Sequence, residues 1–136
     1  MGHVYNRGAK GLLDGTILFP DAGGQTIKAR LFLTSDTPDK DTTTMTGIGV
    51  TGNDQTLASK TQTENTSNDR IVFDCADFTF TAQPAGGEVD HVVIFKFVTN
   101  DAGSTPIAIL PITAVTPNGG NILITVDADG LFYLQQ

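Results

Sequence analysis

The clearest signal in the chain is alternation. Over Thr26–Thr34 (TIKARLFLT), Ile27, Ala29, Leu31 and Leu33 alternate with Lys28, Arg30 and Phe32. A period of two places one set on each face of a strand, so this stretch predicts a half-buried strand. Arg70–Ala82 (RIVFDCADFTFTA) carries Ile71, Phe73 and Cys75 on one parity, then Phe78 and Phe80 on the other. An inserted residue flips the inward face, as a β-bulge does, so the stretch is one bent strand or two short ones. Val89–Thr99 (VDHVVIFKFVT) is apolar on both parities and predicts a central strand. Ile107–Val115 (IAILPITAV) contains Pro111, which lacks the ladder N–H. It is expected at an edge or beside a bulge. NILITVD and LFYL close the chain as two further strands, and Thr56–Thr63 (TLASKTQT) reads as a polar edge strand.

Between these runs lie turn signals. ENTSNDR, QPAGGE, NDAGSTP and PNGG are rich in Gly, Pro, Asn and Asp, and Asn118-Gly119 suits the positive φ of a hairpin turn. Ser35–Gln55 is a long polar loop. The start differs. In Val4–Asp14, Val4, Ala9, Leu12 and Leu13 fall roughly on one helical face, with Gly15 placed to end the helix. Residues 1–15 are then a short helix, acting either as an arm for a partner or as a lid over the β core. The lid is the simpler reading. With seven or eight short strands and no visible linker or repeat, residues 1–136 predict one all-β domain: an antiparallel β-sandwich or barrel with a short N-terminal helix.

Composition narrows the function. Fifteen acidic residues against eight basic ones give a net charge of −7. The basic residues form no run, so a nucleic-acid backbone is not an expected partner. No stretch approaches the roughly 20 apolar residues of a membrane helix. The first residues lack the apolar segment and cleavage site of a signal peptide. Cys75, the one cysteine, forms no internal disulfide and suits a small core position.

Each fragment of apparent chemistry has a plainer reading. Gly47–Gly52 (GIGVTG) fits G-x-G-x-x-G, but TTTMT precedes it and NDQT follows, where the dinucleotide fingerprint needs a strand and a helix. Asp127–Gly130 resembles the opening of a calcium loop without the later glutamate, and Asp36, Asp39 and Asp41 have no Gly in register. His3 and His91 are far apart in sequence and find too few partners for zinc. His91 has no G-x-S-x-G elbow to serve in a triad. Asn65-Thr66-Ser67 is a bare sequon, and Glu64 and Glu88 give no reason to pair as glycosidase acids. The sequence therefore nominates no catalytic, cofactor-binding or metal-ligating residue, and no enzyme is expected.

Five stretches, taken in order, resemble a family of small virion structural proteins found in tailed bacteriophages and prophages. They are VYNRGAKGLLDGTI, TIKARLFLTSDTPDKD, TLASKTQTENTSNDRIVFDCADFTFTA, VDHVVIFKFVTNDAGSTPIAILPI and TPNGGNILITVDADGLFYL. Together they cover nearly the whole chain. Two departures stand out. Members often carry an aliphatic-Tyr-Lys-Asp-Thr-Gly run where this chain has IFKFVTNDAG, and a Trp where it has Val126. The resemblance implies a non-enzymatic virion protein, made in the host bacterial cytoplasm. It would most simply be a capsid decoration (cement) protein on the outer shell, bound to the major capsid protein as a homotrimer or a monomer. The alternative is a tail-fibre or tail-associated module that recognises a host surface. The N-terminal segment and the Ser35–Gln55 loop are the expected contact surfaces.

Overall fold

The computed structural model describes residues 3–135, and they form a mostly β domain. Strand β1 (His3–Val4) leads into helix α1 (Asn6–Asp14), and Gly15 at φ 78° ends that helix. Then come β2 (Ile27–Leu33), β3 (Gln55–Thr56), β4 (Thr61–Asn65), β5 (Arg70–Asp74) and β6 (Phe78–Phe80). The chain closes with β7 (Val89–Val98), β8 (Asn100–Val115), β9 (Ile122–Ile124) and β10 (Phe132–Gln135). One sheet has the order β1-β8-β7-β2-β3, a second β10-β5-β4, and β6 pairs with β9 in a third; all pairs are antiparallel. The arrangement is sandwich-like, with ten strands among the described residues where sequence suggested seven or eight. The surplus over eight is β1 and β3, two residues each and too short to leave a periodic signal.

The large sheet is apolar on both faces. Ala29, Leu31, Val92, Ile94 and Ala108 pack with Phe73, Phe80 and Phe132 of the smaller sheets. Here Phe73 and Phe132 stack 4.7 Å apart at 8°, and Phe19 meets both edge-on. The opposite face gathers Phe32, Val93, Phe95 and Ile109 under Tyr5 and Met45. So β2 is not half-buried: Arg30 and Phe32 are as covered as Leu31. The cover on the second face is the Ser35–Gln55 loop, from which Met45 contributes a fully buried side chain.

Several expectations are corrected in detail. In α1 the buried positions are Gly8 and Gly11, while Leu13 is 77% exposed and Val4 belongs to a strand. The helix lies so close to β8 that a Cβ on Gly8 would stand 2.5 Å from the Ile107 Cα. Thr56–Thr63 is not one strand; Leu57–Lys60 breaks it, with Ser59 at φ 53°. Arg70–Ala82 is two strands in two different sheets. The β7–β8 hairpin reverses at Thr99, φ 56°, so NDAGSTP is the bulged start of β8 and not a turn of its own. Pro111 pairs opposite His91, and the register slips between there and Val89. That slip is the irregularity its missing N–H called for. PNGG does not join a hairpin, because β8 and β9 lie in different sheets; only Gly119, and not Asn118, has positive φ.

Candidate functional site

Arg30 is the most heavily bonded side chain, and alternation alone had assigned it to the solvent face. It is 3% exposed. Its Nε and Nη2 donate to the two oxygens of Asp54 at 2.7 Å each, and Nη1 and Nη2 donate to Asp101 at 3.0 and 2.8 Å. A fifth bond runs from Nη1 to the Ile48 carbonyl, and the guanidinium lies over the Phe95 ring. Asp54 and Ile48 come from the long loop, and Asp101 from the start of β8. One buried cation thus fastens two surface segments onto the sheet. The Arg30 hydrogen bond holds the Asp101 carboxyl below the usual carboxylate range. Gly49, at φ 67°, lets the loop press within 2.4 Å, measured from its would-be Cβ, of the Leu31 carbonyl; Val50 N–H bonds that same carbonyl. The loop is therefore part of the fold. Ser35–Asp41 is its most continuously exposed stretch, and Thr43, Thr46, Gly47, Thr51 and Gly52 are exposed as well.

The other shifted groups also have structural causes. Lys60, buried, donates to Asp21 and lowers that carboxyl. Asp14 is lowered by Lys10 and by the Thr16 side chain and amide. Burial pushes the Cys75 thiol up to about 12, with Asp74 and Asp77 adding to it, so it is no nucleophile at neutral pH.

The two histidines come onto one sheet face, on β1 and β7. His3 packs edge-on against Tyr5 at 5.0 Å, and burial, Lys40 and His91 hold its imidazole below its usual range. His91 Nδ1 lies 2.7 Å from Asp90. Tyr5 is wholly buried, and burial raises its phenol to about 12. Among the described residues, no group of three or more His, Cys, Asp or Glu converges as metal ligands.

The remaining motifs resolve into turns. Gly47, Gly49 and Gly52 all have positive φ in a loop with no helix after it. Asp127–Gly130 is a turn closed by Gly130 N–H on the Asp127 carbonyl. Asp39 accepts from the Asp41 amide, and Asp41 accepts from Asn6. Glu64 sits on the β4 edge and Glu88 accepts from Thr34.

One surface stands apart. The outer side of β4 and β5 forms a shallow, polar groove floored by those strands and walled by Thr66, Ser67 and the Ala128–Asp129 turn. Arg70 lies in it, with its guanidinium 4.5 Å from the Tyr133 ring centroid. Sequence reasoning missed this face because its residues are drawn from three separated stretches. The signal was the polar parity of each strand. Among the described residues, no helix is long and apolar enough to cross a membrane. Comparison with family models, with curated proteins and with solved structures finds no match.

Proposed function

We propose that this chain is a non-enzymatic structural protein of a tailed-phage virion, and that it decorates the outer surface of the head by binding the major capsid protein. The observation that carries the reading is the ordered resemblance of five stretches spanning Val4–Leu134 to the phage virion family. The geometry is consistent with it. Perturbed ionisable groups usually point to a reactive site. Here Arg30, Lys60 and Asp14 hold loops and a helix end, and Cys75 is a core thiol. The negative charge of the chain favours a soluble, non-aggregating surface before assembly.

The test is labelled imaging of purified particles, with quantitation of the chain against the major capsid protein. Decoration gives density over the shell at a fixed, near-stoichiometric ratio. Density confined to the tail at a few copies supports the tail-associated alternative and rejects decoration. Absence from purified particles rejects both.

A further inference from the structure

We infer that Asn118 is a latent site of spontaneous deamidation, held off in the folded chain by a hydrogen-bonded clamp built on Gln83. The chemistry needs no enzyme. The Gly119 amide nitrogen attacks Cγ of the Asn118 side chain and closes a five-membered succinimide. The side-chain nitrogen leaves as ammonia, taking with it the proton that Gly119 gives up. Water then opens the ring at one carbonyl or the other, leaving aspartate or isoaspartate. Of the seven asparagines, only Asn118 is followed by glycine. A glycine nitrogen has no side chain beside it to block the approach, and its backbone turns freely. Both residues are exposed and lie between β8 and β9, so water reaches them.

In the fold both reacting groups are engaged. The Gly119 N–H donates to the Gln83 carbonyl at 2.8 Å, and the Gly120 N–H donates to Asn118 Oδ1 at 3.1 Å. The second bond is an Asx turn, which fixes the side-chain amide. The Gln83 N–H donates in return to the Gly120 carbonyl at 2.9 Å, so Gln83 brackets the turn from both sides. Gln83 is itself only 2% exposed. Asn53 seats it, with Nδ2 donating to Gln83 Oε1 at 2.8 Å and to the Thr81 carbonyl at 3.1 Å. Beside it the Ala82 N–H donates to Asn121 Oδ1 at 2.8 Å.

Closing the ring takes the Gly119 proton, so the bond to Gln83 is lost, and the Asn118 amide must move onto that nitrogen. Giving up one or two native hydrogen bonds slows the reaction by about tenfold or more. The product forms at a junction where the long loop, the end of β6 and the start of β9 are tied together. Either product adds one negative charge to a chain already at −7. Isoaspartate also lengthens the backbone at 118, which shifts Gly119 and Gly120 out of register with Gln83. The inference stands apart from the virion reading.

Purified protein is incubated at pH 8, folded and in urea, and its peptides are followed by mass spectrometry, with isoaspartate counted by enzymatic methylation. In urea Asn118 is expected to deamidate faster than every other asparagine. In the folded chain its rate is expected to fall about tenfold or more. Asn53→Ala removes the side-chain seat of Gln83 and is expected to speed deamidation of the folded chain several-fold, with the rate in urea unchanged. The inference is overturned if another asparagine reacts faster in urea, if Asn118 reacts equally fast folded and unfolded, or if Asn53→Ala leaves the folded rate at the parent value.

Discussion

Replacing Arg30 with Met tests whether one buried cation holds the loop on the sheet. Methionine keeps an unbranched apolar stem over Phe95 but removes all five hydrogen bonds. Breaking a buried ion pair by deleting one partner costs about 3–5 kcal/mol. Asp54 and Asp101 retain 15% and 33% side-chain exposure, so both can regain water, which favours the low end, about 3 kcal/mol. For a chain of this length that corresponds to a melting temperature lower by roughly 10–15 °C. Urea unfolding followed by far-UV circular dichroism measures the loss, and amide exchange at Met45 and Ile48 reports whether the loop has lifted. Acid gives a second readout. Arg30 depresses the Asp101 carboxyl, so its contribution is present above the ordinary carboxylate value and is lost as pH falls through the lowered one. The parent chain should therefore lose stability toward acid more steeply than Arg30→Met. A loss below about 1 kcal/mol, or unchanged exchange at Met45, would refute the idea that the guanidinium fastens the loop.

Other substitutions probe separate parts of the fold. Gly8→Ala should destabilise by about 1–3 kcal/mol in urea, because the new methyl meets β8 backbone at 2.5–2.8 Å; an unchanged midpoint would show that α1 has room to shift. Met45→Ala should cost about 2–5 kcal/mol although it lies in a long polar stretch, and parent-like stability would return that stretch to the status of a free loop. Phe73→Ala, which removes the stacked partner of Phe132, should cost about 3–5 kcal/mol by the same measurement. Cys75 should resist a thiol reagent at pH 8 until the chain is unfolded, since burial raises its pKa to about 12; rapid labelling of native protein would contradict its placement.

Strand existence was legible where alternation was strong. β2, β5, β6, β7, β9 and β10 fall within the stretches that periodicity marks, and the break at Cys75–Asp77 separates two sheets. Pairing was not legible, because β5 meets β10 across nearly half of the chain's length and β8 meets β1 across most of it, and no local pattern encodes such contacts. Arg30 was misplaced for a specific reason. Alternation assigns a charged residue to water, yet Phe32 shares its parity, so β2 carried apolar character on both faces, as β7 does. Met45 was the other missed signal: a lone large apolar residue in TTTMT marks an anchor under a loop. Gly8 was the trace of close packing on β8, and Gly11, one helical turn on, the trace of packing against Ile17. The polar groove needed the register of β4 on β5 and the placing of the Ala128–Asp129 turn before it could be seen.

Both faces of the large sheet are closed, one by the smaller sheets and the other by the Arg30-fastened loop, so that sheet offers a partner only its margins. One margin of the second sheet is β4, all polar and bearing Glu64, and the other is β10. An edge with that make-up discourages strand pairing with another chain. A partner at β4 therefore meets side chains and not free backbone. The outward rows of β4, β5 and β10 are where the fold displays side chains on a rigid support, since the inward residues of β5 and β10 include the stacked Phe73 and Phe132. Rigidity matters for weak recognition, because a side chain already fixed by its strand loses less freedom on binding. The same stacked core that stabilises the domain therefore sets the precision of its outer face.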